Sequence, residues 1–159
     1  TLTTSNVGKT SVYRYRDNVW GLMGNDIEDG TIEKRNAYSI SLSTEGNSIV
    51  VGSESGGGVR VYNFRGEDWR PFGSQISGTF GKSVSLSGNT VVIGSEDVDN
   101  GRVHIYNFTD GDWSRAGRTF EKTIVAEGGT NDMGKNVNIT SDGTSICVTS
   151  QSDVRIYSI

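Results

Sequence analysis

The 159-residue chain is poor in the residues that carry most recognisable chemistry: it has one proline (Pro71), one cysteine (Cys147), one histidine (His104) and two methionines. One thiol excludes an internal disulfide and a cysteine-built zinc site. One histidine makes catalysis by histidine improbable. No apolar run approaches the ~20 residues that a membrane-spanning helix needs. Nor does any basic stretch accumulate: 15 Lys and Arg stand against 19 Asp and Glu, a net charge of −4. Nucleic acid and anionic membrane are therefore not expected as the main partner. No helical period persists for three turns, although residues Asn25 to Asn36 have room for a stray turn.

What is plentiful is glycine, 22 residues, together with serine and threonine. That composition predicts an all-β fold dense in hairpins.

The chain also repeats itself. "VYNFRGEDW" (Val61 to Trp69) returns as "IYNFTDGDW" (Ile105 to Trp113), and "VYRYRDNVW" (Val12 to Trp20) aligns with both without a gap. A truncated copy, "VRIYSI", closes the sequence at Val154 to Ile159. The other half of each unit repeats as well: "YSISLSTEGNSIVVGSE" (Tyr38 to Glu54), "KSVSLSGNTVVIGSE" (Lys82 to Glu96) and "KNVNITSDGTSICVTSQ" (Lys135 to Gln151). Repeats of this length are supersecondary units that bury their apolar faces on one another. The reading is one domain, 1–159, with repeat 1 at about 12–60, repeat 2 at about 61–104, repeat 3 at about 105–153 and a partial strand at 154–159.

Within a repeat, Val84 and Leu86 alternate with Ser83, Ser85 and Ser87, the period of two that marks a strand with one apolar face. Glu45-Gly46-Asn47, Gly88-Asn89 and Asp142-Gly143 supply the positive backbone dihedrals of tight hairpins. "SIVVG", "TVVIG" and "SICVT" are apolar on both faces and β-branched, as in a strand covered on both sides. Each repeat thus reads as about four short strands, one of them opening at the tryptophan, and the aromatic "VYNF" strand is expected to be the inner one.

"FGKSVSLSGNTVVIGSEDVDNGRVHIYNF" resembles the FG-GAP family of β-propeller repeats. Phe80-Gly81 matches the opening of the family's repeat, Met133-Gly134 echoes it, and "IGSE" stands where the family has Gly-Ala-Pro. The resemblance covers essentially the whole chain and implies four-stranded propeller blades. Three repeats do not ordinarily close a ring, for which four to eight blades are typical, so the ring is expected to be incomplete on its own. Thr1 to Thr4 align with Val50 to Ser53, which places them in the last strand of a preceding unit. A β-trefoil, also threefold, is the alternative fold.

Calcium loops of the form D-x-D-x-D-G occur in integrin-type members, and no complete copy is present here. Asp97, Asp99 and Asn100 are the nearest approach, with oxygens at alternate positions as a hard cation prefers; the plainer reading is a hairpin loop around Asn100-Gly101. No other cofactor is expected. Trp20, Trp69 and Trp113 stand at equivalent points just after a turn. They either wedge each repeat against its neighbour or line sugar pockets, with Asp68, Asp110 or Asp112 binding hydroxyls. Asn107 and Asn138 head N-x-T triplets and are candidate glycosylation sites. His104 occupies a slot held by Arg60 and Arg155 in other copies, and Cys147 replaces Val50 and Val92, which predicts a buried small hydrophobe.

These readings describe a non-catalytic structural or interaction module, extracellular or at the cell surface. Its partners would be copies of itself or further repeats of the same chain, as in a filament or surface appendage. A carbohydrate-binding propeller with glycan partners is the alternative, and an enzyme with an unrecognised site the second.

Overall fold

The computed structural model describes residues 9–28, 38–53, 57–78, 81–95, 101–121, 133–151 and 153–159. Every regular element among them is a β-strand. Ile27–Glu28 is a strand where a helical turn had room to form, and the rest of that stretch, 29–36, lies outside the described residues together with Thr1 to Thr4.

An N-terminal half-sheet comes first, from β1 (Lys9–Thr10), β2 (Tyr13–Arg16), β3 (Val19–Leu22) and β4 (Ile27–Glu28). It is one long hairpin interrupted once: β1 pairs β4, β2 pairs β3, and Met23 N donates to Val12 O across the break. The first full sheet is β5 (Ser39–Leu42), β6 (Ser48–Gly52), β7 (Val59–Arg65) and β8 (Asp68–Pro71). The second is β9 (Ser83–Ser87), β10 (Thr90–Ser95), β11 (Arg102–Thr109) and β12 (Asp112–Glu121). The third is β13 (Asn136–Ile139), β14 (Ser145–Thr149) and β15 (Val154–Ser158). Each is an antiparallel meander in chain order. No ladder joins one sheet to the next among the described residues, which separates this architecture from the β-trefoil.

The hairpins have the chemistry that the sequence requires. Gly46, Gly88 and Gly143 all have positive φ. Asp17-Asn18 (φ 51° and 62°) and Asp110-Gly111 (φ 54° and 87°) take the mirror-image turn that matches strand twist before each tryptophan strand.

Two sequence expectations are corrected by strand order. The aromatic strands β7 and β11 are third in their sheets, whereas the serine-rich strands β5, β9 and β13 lie first, with β9 flanked by β5 and β13. The inner strand is therefore "SVSLS". Its alternation does not divide core from solvent either: all five residues of β9 are buried. The apolar runs β6 and β10 are covered on both sides as expected.

The core consists of seams between successive sheets. At one seam Val50, Val59 and Val61 of the first sheet meet Val84, Leu86, Val91 and Ile93 of the second. At the next, Val92, Val103 and Ile105 of the second meet Val137, Ile139, Ile146 and Val148 of the third. These are equivalent positions in the repeat. Met23 and Ile27 of the half-sheet pack on Ile49, Tyr62 and Trp69 in a third, partial seam. Each fully buried aliphatic side chain contributes about 1.5–3 kcal/mol, so the seams, rather than any single sheet, supply the hydrophobic stabilisation.

Candidate functional site

The chemistry of the chain lies at these seams, and three repeated devices build them. The first uses the tryptophans. Trp69 is 3% exposed, and its indole Nε1 donates to Met23 O at 2.7 Å. Trp113 repeats the contact one sheet on, donating to Phe72 O at 2.7 Å. The rings meet Phe64 in a tilted and Phe108 in an edge-on arrangement, at centroid distances of 5.3 and 5.2 Å. A polar cross-brace accompanies each indole: Asn25 Oδ1 accepts from Trp69 N at 2.8 Å, and Asp112 Oδ1 accepts from Ser74 N at 2.6 Å and from Trp113 N at 2.8 Å. Those amides hold the Asp112 carboxyl below the usual carboxylate range, Ser74 contributing most.

The second device is the serine face of the inner strand. Leu86 N donates to Ser41 Oγ at 3.1 Å, and at the equivalent place Ile139 N donates to Ser85 Oγ at 3.0 Å. Val137 N donates to Ser83 Oγ at 2.8 Å, while Ser87 Oγ donates to Ser141 O. Inner strands expose a row of backbone amides at a sheet edge, and an unpaired buried amide costs free energy. The preceding sheet caps that edge with hydroxyls, which explains why the S-x-S-x-S spacing recurs. Sequence reasoning missed this role, although the spacing was in view.

Close backbone approach is the third. A Cβ built on Gly52 would lie 2.2 Å from Gly81 O, and one on Gly94 would lie 2.0 Å from Gly134 O. The Gly of "VVGS" and "VIGS" thus fits against the Gly that opens the next repeat, and only hydrogen at Cα permits it.

The ligand candidates fare differently in this setting. Trp69 offers no face to a sugar, since its ring is buried and its N–H is engaged; Trp113 sits in a separate seam and is held in the same way. Trp20 is 67% exposed and packs against Tyr15, the rings tilted by 48° with centroids 5.2 Å apart. Asp68 and Asp110 are exposed in or beside their turns, and Asp112 serves the seam. Nothing brings the three acids to one pocket. Asp97, Asp99 and Asn100 lie outside the described residues, among which no group of three metal-ligating side chains occurs. Asn107 is half-buried on β11, its Oδ1 accepting from Thr90 Oγ1, and Asn138 is exposed on β13.

His104 is 7% exposed, with Arg115 Nη2 3.0 Å from its Nδ1. Burial, then Arg115 and Arg102, push its pKa down to about 4. Cys147 departs from expectation: it is half-buried, whereas its counterparts Val50 and Val92 are 0% exposed. The reason is positional, since those valines pack against the following sheet and no sheet among the described residues covers Cys147 in that way.

The same contrast marks both ends of the array. Val154 and Ile156 are 70% and 74% exposed, against 1% and 3% for Val59 and Val61 and 0% and 5% for Val103 and Ile105 at equivalent positions. At the other end Ile40 and Leu42 are 57% and 49% exposed, while Val84, Leu86, Val137 and Ile139 are all below a tenth. Two open half-seams of complementary kind are left.

No protein-family model and no curated protein matches the chain, so the FG-GAP resemblance is not confirmed. Solved structures do match. The β-propeller domain of Myceliophteria thermophila Cps50 (Swd1) superposes with a TM-score of 0.61 at 12% identity, over 95% of this chain and 51% of that one. The fold is a β-propeller. Hydrazine synthase of Kuenenia stuttgartiensis aligns with a TM-score of 0.50 at 12% identity, over 77% of this chain and 32% of that one. The chain spans about half the length of the first propeller and about a third of the second chain. Its sheets are therefore propeller blades.

Proposed function

We propose that this propeller segment is a non-catalytic structural and interaction module, whose ring is completed by further repeats of the same chain or by copies of it. One observation carries the reading: residues that are buried at both intact seams stand exposed at the two ends, Ile40 and Leu42 on one side, Val154 and Ile156 on the other. Contiguous apolar faces of this kind mark interaction surfaces. An open propeller also presents unpaired strand edges, which invite pairing with another chain. Placement outside the cell rests on the FG-GAP-like motifs, and a filament or surface appendage on stacking of further repeats.

Light scattering after size exclusion tests the proposal. Wild-type protein associates as its concentration rises, and Ile156→Asp, a change on an exposed strand, weakens that association at least tenfold. A wild-type chain that stays a 17.1 kDa monomer at high micromolar concentration overturns it.

Glycan recognition is the second reading, favoured by the exposed Trp20 packed beside Tyr15. A glycan array on which binding disappears with Trp20→Ala supports it, and a blank array removes it.

A further inference from the structure

Between the half-sheet and the first blade lies a groove of about 330 Å³. Arg14 and Arg16 of β2 line one wall, and Phe64 with Glu67 of the first blade line the other. Arg14 pairs with Gly21 and Arg16 with Val19, so both guanidinium groups rise from the face of the hairpin opposite to Tyr15 and Trp20. The floor is bare: a Cβ on Gly21 would meet no atom within 4 Å. The next seam is filled differently, with Arg70 in place of Gly21, Phe72 in place of Met23 and Asn63 in place of Arg14. There Phe72 stacks on Phe108 at 4.0 Å, and the Arg65 guanidinium lies over Phe72.

The arginines are held but not neutralised. Arg14 Cζ is 5.7 Å from the centre of the Phe64 ring, and its Nη2 donates to Met23 Sδ at 3.1 Å. Neither Arg14 nor Arg16 has a carboxylate partner among the described residues. Glu67 stands on the opposite lip at φ 114°, where the equivalent turn residues are Asn18 and Gly111. A residue with a Cβ is strained at such a φ, and strain of this kind collects at binding and catalytic sites.

We propose that this groove binds the carboxylate of a small polar molecule. A guanidinium presents paired N–H donors that match the two oxygens of a carboxylate. Two arginines against one glutamate leave the groove net positive, and Glu67 repels a second negative charge, so a singly charged ligand is preferred over a doubly charged one. The site belongs to an intact seam and does not depend on either open end. The rest of the chain does not supply the anion. Residues 1–8 contain no acid. Residues 29–37 are anchored at Glu28, which pairs with Lys9, and at Tyr38, whose N donates to Gly52 O, both at the far end of their sheets from the Asp17-Asn18 and Gly66-Glu67 turns. Fully extended they span about 36 Å, short of the roughly 40 Å needed to reach those turns and return.

Glucose, glucuronate and glucose 6-phosphate share one sugar body and differ in carrying a neutral, a singly charged or a doubly charged group, the phosphate being mostly dianionic at neutral pH. They are the probes, and the Arg14 and Arg16 Nε and Gly21 amide resonances of the intact chain are the readout. Glucuronate shifts these signals saturably and glucose does not, while glucose 6-phosphate binds about tenfold more weakly than glucuronate. Arg16→Gln, on an exposed strand, weakens glucuronate about tenfold with an unchanged melting temperature. Glu67→Gly, which suits the positive φ, strengthens glucose 6-phosphate about tenfold. Glutamate capped at both ends is the second arm: whichever of it and glucuronate binds more tightly tells a peptide side chain from a sugar acid as the source of the carboxylate. Silence of both acids at high millimolar concentration overturns the site, as does equal binding by glucose or by the Arg16→Gln protein. Tighter binding of glucose 6-phosphate than of glucuronate by the wild type overturns the preference for a single charge.

Discussion

Trp113 Nε1 donates to Phe72 O at 2.7 Å across a blade seam, and Trp69 makes the same bond to Met23 O one blade earlier. Replacing one donor leaves a carbonyl facing an apolar ring, at a cost of about 1–3 kcal/mol. Trp69→Phe is expected to destabilise by about 2 kcal/mol and Trp113→Phe, in a less enclosed seam, by about 1 kcal/mol. Trp20→Phe, two-thirds exposed, stays within about 0.5 kcal/mol of wild type. Urea unfolding followed by tryptophan fluorescence ranks the three, and equal losses at all positions would contradict the seam role.

Ser85→Ala removes the acceptor of Ile139 N without changing the apolar packing. The expected loss is about 1–2 kcal/mol, because a buried amide is left unpaired. Hydrogen exchange provides the sharper check: the Ile139 amide speeds up, and Ser41→Ala speeds up Leu86 instead. If neither amide responds, the hydroxyls are not the caps.

Gly94→Ala forces a methyl group to within 2.0 Å of Gly134 O, a backbone atom that cannot rotate away. Overpacking at such a contact costs about 3 kcal/mol. Gly46→Ala, where a Cβ meets nothing within 4 Å, suffers only from its positive φ of 69°, at about 1 kcal/mol. Thermal unfolding of both variants separates close approach from turn geometry.

His104 makes stability depend on pH. Folded, its ring remains neutral down to about pH 4, because burial and the Arg115 and Arg102 charges disfavour a second cation. Unfolded, it takes up a proton near pH 6.5. Between these values the unfolded chain binds more protons, so stability falls as pH drops from about 6.5 to about 4 and levels off below. The loss is about 2 kcal/mol, reduced from the unscreened figure by solvent around the ring. Denaturation midpoints of His104→Gln should be flatter across that window than those of wild type.

Much of the architecture was legible along the chain. The 44- to 51-residue spacing of the aromatic phrase, the alternation at Ser83 to Ser87 and the apolar runs ending in "VVG" and "VIG" determine the strands and hairpins, because period and turn chemistry are local properties. Glycines at the turn positions require φ values that no neighbouring choice alters. What only the tertiary structure decided is which strand lies inside and what the polar residues do. Ser85 and Trp113 act on backbone atoms 54 and 41 residues away, Ile139 N and Phe72 O, partners that no local pattern names. Cys147, Val154 and Ile156 read as core because their repeat-mates are core, yet burial depends on the blade beyond them. Burial belongs to a pair of surfaces, and the sequence of one surface does not say whether the other is there.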